Sequence, residues 1–257
     1  MLVLLSCAKT MSAVSKVKVP LTTIPRFQKE AAEIALQMSQ FSVDELERLL
    51  RVNAKIAVEN YKRYQAFHAE ATPELPALLA YTGIVFKRLN PKDFSAEDFG
   101  YAQEHLRLTS FCYGLLRPLD VIRAYRLEGD VVLPELGNQT LFSYWRSRLT
   151  DTFIEDIRSA GGILCNLASD EMKSLFDWKR VESEVRVVTP EFHVWKNGKL
   201  ATIVVYTKMS RGEMTRFILK NKIGNPEELK GFSWEGFEFD ESLSDERKLA
   251  FINGMGE

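Results

Sequence analysis

Two short runs without a charged residue, Leu2-Val3-Leu4-Leu5 and Gly162-Ile163-Leu164-Cys165-Asn166-Leu167, constrain the fold more than any other feature of this chain. Each is shorter than an ordinary helix and lacks an amphipathic pattern, so each is expected to be a buried strand. Much of the remainder has helical periodicity. A helix is expected near 26–39, and a second starts at Ser42, which stands three residues before Glu45 in capping-box spacing. A third carries Ile56, Tyr61, Tyr64 and Phe67. Ser95 and Asp98 repeat the box ahead of a face formed by Phe99, Ala102, Leu106, Thr109 and Tyr113. Phe142, Trp145, Leu149, Phe153 and Ile157 mark another amphipathic helix. Pro73 and Pro226 each stand at an expected first helical position, after Thr72 and Asn225 as caps. Residues 184–208 suggest a β-hairpin that turns at Asn197-Gly198, and a helix follows.

The expected fold class is therefore mixed α/β, with a modest central sheet flanked by many helices in one compact domain spanning 1–257. The helices of 26–80 could form a subdomain, and 241–257 has the character of an acidic tail.

At 46% hydrophobic the chain can bury a substantial core, and no apolar stretch approaches the length of a membrane span. Leu2–Leu5 lacks the basic flank of a signal peptide, so a cytoplasmic location with no membrane contact is expected. Three scattered cysteines, Cys7, Cys112 and Cys165, give neither a disulfide framework nor a CxxC pair. The histidines His68, His105 and His193 have no partner at ligand spacing, so neither metal nor other cofactor is expected. The Walker, GxGxxG, GxSxG and HExxH signatures do not occur.

Net charge is −1, but residues 227–257 hold nine acids against three bases, leaving the body of the chain basic. Arg48, Arg51, Lys55, Lys62 and Arg63 cluster between 48 and 63; Lys208, Arg211, Arg216, Lys220 and Lys222 cluster between 208 and 222. Such clusters create local potentials even on a neutral protein.

Four polar segments follow apolar elements: Ser6–Thr10, Arg117–Glu128, Asn166–Glu171 and Thr207–Arg216. Strand ends are where side chains converge on ligands. In the last segment Ser210 and Glu213 have capping-box spacing, so a helix is expected to begin at Arg211. Gly212 and Arg211 would then be explained by an anion at the helix start. Asp170 and Glu171 are candidates for acid–base chemistry, and each also suits an ordinary helix start. Arg117 could pair with Asp120, leaving Arg123 and Arg126 free.

These segments together resemble the YaaA family of bacterial peroxide-stress proteins. The family's S-P-A-K-T stands here as SCAKT, its L-Y-G-x-L-R-P-L-D as CYGLLRPLD and its Y-R-L-E as AYRLEG. N-L-A-S-x-E-Y is matched by NLASDEM, and R-G-x-M-x-R-F-I by RGEMTRFI. The match runs nearly end to end. Cys7 replaces the family proline, Met172 the tyrosine, and Ile84 the acid of F-x-G-D-V-Y.

The resemblance implies an unusual α/β fold with a helix-hairpin-helix element and a basic cleft. It also implies DNA binding and a part in limiting peroxide damage, linked to free iron. The helix-hairpin-helix would lie at about 42–67, where Arg48, Arg51, Lys55, Lys62 and Arg63 would hold phosphates. Its hairpin lacks the motif's glycines. Ser6, Lys9, Arg117, Arg126, Asn166, Ser169, Lys208, Arg211 and Arg216 would line the cleft.

The expected partner is duplex or branched DNA, bound by a monomer without strong sequence preference. The alternative is an enzyme acting on a nucleotide or nucleobase, with Lys9, Asp170 and Glu171 as catalytic candidates. A third reading makes Cys7 a peroxide-reactive thiol of depressed pKa.

Overall fold

In the computed structural model, which describes residues 1–196 and 198–254, Leu2–Leu5 forms strand β1 and is buried throughout. Both of its edges must then find partners, because buried backbone groups cannot be left unpaired. It lies between β3 (Leu106–Ser110) and β8 (Ile163–Asn166), parallel to both, with Val3 opposite Leu106 and Cys165. Strand β9 (Arg186–Lys196) runs parallel to β8, and β12 (Lys248–Asn253) runs parallel to β9. Antiparallel neighbours complete the sheet: β4 (Gly114–Leu116) on β3, β10 (Lys199–Ala201) on β9, and β11 (Phe237–Asp240) on β12. The described residues thus form one eight-stranded mixed sheet with the order β11-β12-β9-β8-β1-β3-β4, while β10 pairs with β9 off that path. Two small ribbons lie outside it: β2 (Glu74–Pro76) with β5 (Val121–Arg123), and β6 (Val132–Leu133) with β7 (Gln139–Thr140).

Helices pack around the sheet. The first three are α1 (Gln28–Met38), α2 (Val43–Leu50) and α3 (Ala54–Ala66), followed by α4 (Ala77–Ala80) and α5 (Ile84–Leu89). After them come α6 (Ala96–His105), α7 (Leu141–Ser159), α8 (Asp170–Lys173), α9 (Trp178–Glu184) and α10 (Val204–Asn221). Two of the three expected capping boxes form, at Ser42 with Glu45 and at Ser95 with Asp98. Helix α7 buries Trp145, Leu149, Phe153 and Ile157, the face expected of it. Ile34, Leu46 and Tyr64 belong to the same core cluster as Leu4, Trp145 and Phe251, so the helices of 26–80 are not a separate subdomain.

Four expectations are corrected. The helical face carried past His105 ends there. Leu106–Ser110 are buried without exception and serve as the second edge partner of β1, a demand that local periodicity cannot reveal. The helix expected from Arg211 begins at Val204. Strand β10 stops at Ala201, and the β-branched Val204 and Val205 beyond it form the first helical turn, exposed to solvent. Ser210 is therefore inside α10, fully buried, and caps nothing. Pro73 opens no helix, since Glu74–Pro76 pair with β5; Asn225 does cap a short 3-10 turn at Pro226–Gly231. The acidic tail is also overturned, because Lys248–Asn253 is the apolar strand β12. Of the hairpin turn, Asn197 lies outside the described residues, and Gly198 has a left-handed φ of 71°.

Candidate functional site

Because β1, β3 and β8 are parallel, their carboxyl ends open at one edge of the sheet, and the chain segments leaving them converge there. The Ser169 backbone N–H donates to Ser6 Oγ at 2.9 Å, and the two serine hydroxyls lie 3.3 Å apart. The Cys7 N–H donates to Thr109 Oγ1 at 3.2 Å, tying the third strand end in. Farther on, the Thr82 N–H donates to Thr10 O at 3.0 Å, which brings α5 beside the loop leaving β1. Gly83, which precedes α5, packs so closely that a Cβ there would lie 2.9 Å from that of Ala8.

Helix α10 closes the site by crossing α5 at Gly212, where a Cβ would lie 2.3 Å from Val85 O and 2.8 Å from Arg88 Cβ. Only glycine permits this approach. Gly212 is thus explained by helix packing, and the anion-binding helix start expected from it does not exist. The crossing does carry Lys208 and Arg211 to the opening. The result is a cleft of about 320 Å³.

Ser6, Lys9, Arg126 and Ser169 line this cleft, together with Lys208 and Arg211. Glu171 stands on its wall, and Ile84, Phe86 and Met172 give it an apolar side. Three expected members lie elsewhere. Arg117 is bound to Asp120 at 2.9 Å and to Ile24 O, as a structural link. Arg216 grips Asp93 through two hydrogen bonds of 2.7 and 2.8 Å. Asn166 is buried, accepting from the Ala168 N–H, and does not line the cleft. Asp170 is exposed, paired with Lys173 at 2.7 Å, and borders a different depression. Of the two acids beyond β8, only Glu171 faces the cleft.

The charges within it are unequally answered. Lys9 Nζ donates to Glu128 Oε2 at 2.7 Å, and the Arg126 guanidinium lies 3.7 Å from Glu128 Oε1. Arg126 is therefore not free, and neither is Arg123, which holds Glu74 and Phe67 O. Glu128 is only 4% exposed, and its Oε1 accepts no hydrogen bond among the described residues. Sequence reasoning passed over this acid, although it closes the quoted Tyr-Arg-Leu-Glu run. It also passed over Tyr125 on the cleft wall, whose hydroxyl lies 2.6 Å from Ser110 Oγ and 2.7 Å from the Tyr81 hydroxyl.

Arg211 differs from Lys9 and Arg126, and shares with the exposed Lys208 the lack of an ion pair among the described residues. Among the described residues its side chain has no carboxylate within salt-bridge reach, and its buried Nε has no hydrogen-bond partner. Burial pulls its pKa below the usual arginine value, against the weaker pull of Asp170. A partly desolvated cation without a counter-ion is a cost to the fold, and an anion in the cleft would relieve it.

Cys7 also borders the cleft, but burial pushes its thiol up to about 12, overturning the depressed pKa expected of it. Among the described residues, no cluster of three His, Cys, Asp or Glu side chains could hold a metal ion.

The basic segment 48–63 occupies α2, its three-residue link and α3. Arg51, at the left-handed end of α2, makes paired hydrogen bonds of 2.6 and 2.9 Å to Asp130. Arg63 is held by Glu59 and Asn60, whereas Arg48, Lys55 and Lys62 make no ion pair among the described residues. The Tyr64 hydroxyl donates to Arg126 O at 2.6 Å, so α3 supports the cleft wall from behind.

A family model described as peroxide stress protein YaaA matches residues 1–243. The chain is 98% identical over 257 residues, the whole of both chains, to a protein of Bacteroides thetaiotaomicron named UPF0246 protein. It is 78% identical, again over the whole of both chains, to a UPF0246 protein of Bacteroides fragilis. A UPF0246 protein of Crocosphaera subtropica is 37% identical over 253 residues, covering 98% of this chain and all of that one.

Proposed function

Since the chain belongs to the YaaA family of peroxide stress proteins, with a role in oxidative stress, we propose that it serves that role by binding DNA through the cleft. Arg211 carries this reading: a half-buried guanidinium without a counter-ion borders a cavity that Lys9, Arg126 and Lys208 also line. Phosphate is a natural occupant for such a set, with the Ser6 and Ser169 hydroxyls as further partners. The volume, near the lower end of the roughly 300–1,000 Å³ range of small-molecule sites, suits one nucleotide unit rather than a duplex. Ile84, Phe86 and Met172 offer an apolar surface to a base.

The α2–α3 pair would act as the helix-hairpin-helix element. Arg48, Lys55 and Lys62 would contact neighbouring phosphates, and Arg51 and Arg63 would do so only by exchanging their carboxylate partners. Such contacts position DNA without reading its sequence.

Anisotropy titration of labelled branched DNA with an unpaired end nucleotide across a salt series tests this. Wild type should lose affinity steeply with salt, and Arg211→Met should bind at least tenfold more weakly. Salt-independent binding, or a variant that binds like wild type, would refute it.

A second reading, turnover of a free nucleotide or nucleobase, is favoured by Glu171 on the wall and by buried Glu128 behind Lys9. Under it Glu171→Gln would bind nucleotide normally and abolish turnover; a variant with undiminished turnover would exclude Glu171 as the acid or base.

A further inference from the structure

A second depression, of about 920 Å³, lies between the loop 12–18 and the segment 78–94. It adjoins the cleft: Phe86 borders both, and the chain passes from one to the other between Thr10 and Ser12 and between Gly83 and Thr82. Lys16, Lys18, Lys87 and Lys92 line it, and no acid does.

All four lysines are exposed, and none has a carboxylate within salt-bridge reach among the described residues. This sets them apart from the cations nearby. Arg216 is answered by Asp93, Lys220 by Asp98, and Lys222 by Glu97. Asp93, next in sequence to Lys92, is thus held by α10. Four unanswered like charges in one concavity repel each other and concentrate positive potential. The groove floor is apolar, with Leu78, Leu79, Phe86 and Phe94 on it.

We propose that this groove is a track for the phosphates of a single nucleic-acid strand whose end nucleotide occupies the cleft. The proposal rests on the nucleotide reading of the cleft and deepens it. A cavity of nucleotide size admits one nucleotide and no base pair, so a strand entering it is single at that point. Its next phosphates leave through the opening beside Phe86 and meet the lysines. An apolar floor below point charges suits bases on one side and phosphates on the other.

Anisotropy titration of a labelled oligo-dT strand across a salt series, with thymidine monophosphate titrated separately, tests the track. Two proteins are compared: wild type and Lys16→Ser/Lys18→Ser/Lys87→Ser/Lys92→Ser. All the substituted lysines are exposed, so folding is not at stake. The groove variant should bind the strand at least tenfold more weakly, and its slope of log K against log salt should be shallower by about 3, at roughly 0.7 per phosphate. Its affinity for the mononucleotide should not change.

Equal affinity and slope in the groove variant would overturn the track while leaving the cleft reading intact. So would duplex or polyglutamate competing as well as the single strand. Lysine-dependent strand binding with no mononucleotide binding in wild type, or with mononucleotide affinity unchanged in Arg211→Met, would instead fail the cleft reading and the placement of the strand end.

Discussion

Arg211 and Arg107 show how differently two desolvated cations can be treated in one molecule. Arg107 lies almost wholly inside, its Nε donating to Asp156 at 2.7 Å, and Arg26 donates to the same carboxylate at 3.1 Å. Burial alone would raise the Asp156 pKa, but hydrogen bonds and charge from Arg107 and then Arg26 outweigh it and hold the group below the usual carboxylate range. The stabilisation is therefore present above the unfolded value near 4 and is lost as pH falls through the lower folded value. Asp156→Asn should cost about 3 kcal/mol at neutral pH, by stranding the two arginines, and should flatten the acid limb of stability against pH. Urea titrations between pH 2 and 7 would read both effects, and an unaltered acid limb would rule the triad out as its source. Arg211 has no such partner. Arg211→Met should therefore leave the protein as stable as wild type or raise its stability by about 1 kcal/mol, even as ligand binding is lost. A clear drop in melting temperature would mean that the guanidinium has a structural task.

At the scale of elements, the cleft depends on how α10 meets α5. Glycine inside an exposed helix is usually a weakness, so replacing it with alanine ordinarily stabilises by about 1 kcal/mol. At Gly212 the sign should reverse. A methyl group would meet the Val85 carbonyl at 2.3 Å, and backbone cannot yield as a flexible side-chain end can. Gly212→Ala should lose about 1–3 kcal/mol and displace Lys208 and Arg211 from the opening. A thermal melt that shows stabilisation would contradict the close crossing.

For the whole molecule, the segment after Asp240 is part of the sheet. Its strand β12 pairs with β9 and β11, and Leu249 and Phe251 are buried in it. Truncation after Asp240 should remove a central strand and several kcal/mol of apolar burial, abolishing the cooperative melt. A truncated chain that still melts cooperatively would show that β9 can close the sheet alone.

Much of this was legible in the amino-acid order because its causes are local. The apolar runs of β1 and β8, the capping boxes at Ser42 and Ser95, and the face of α7 depend on neighbours a few residues away. The polar segments beyond β1 and β8 were also in plain view, and six of the nine expected cleft residues do line it. Other features had distant causes. That Leu106–Ser110 is a strand follows from the empty edge of β1, about a hundred residues earlier in the chain. That Arg216 turns away while Arg211 stays unanswered depends on where Asp93 lies. Glu128 gains its place behind Lys9, and Gly212 its necessity against Val85, only when separate elements meet. The chain alone determined which residues form strands, caps and apolar faces, because backbone geometry and hydrophobic period act over short spans. Tertiary structure decided which charges are answered, because ion pairing depends on distance in space.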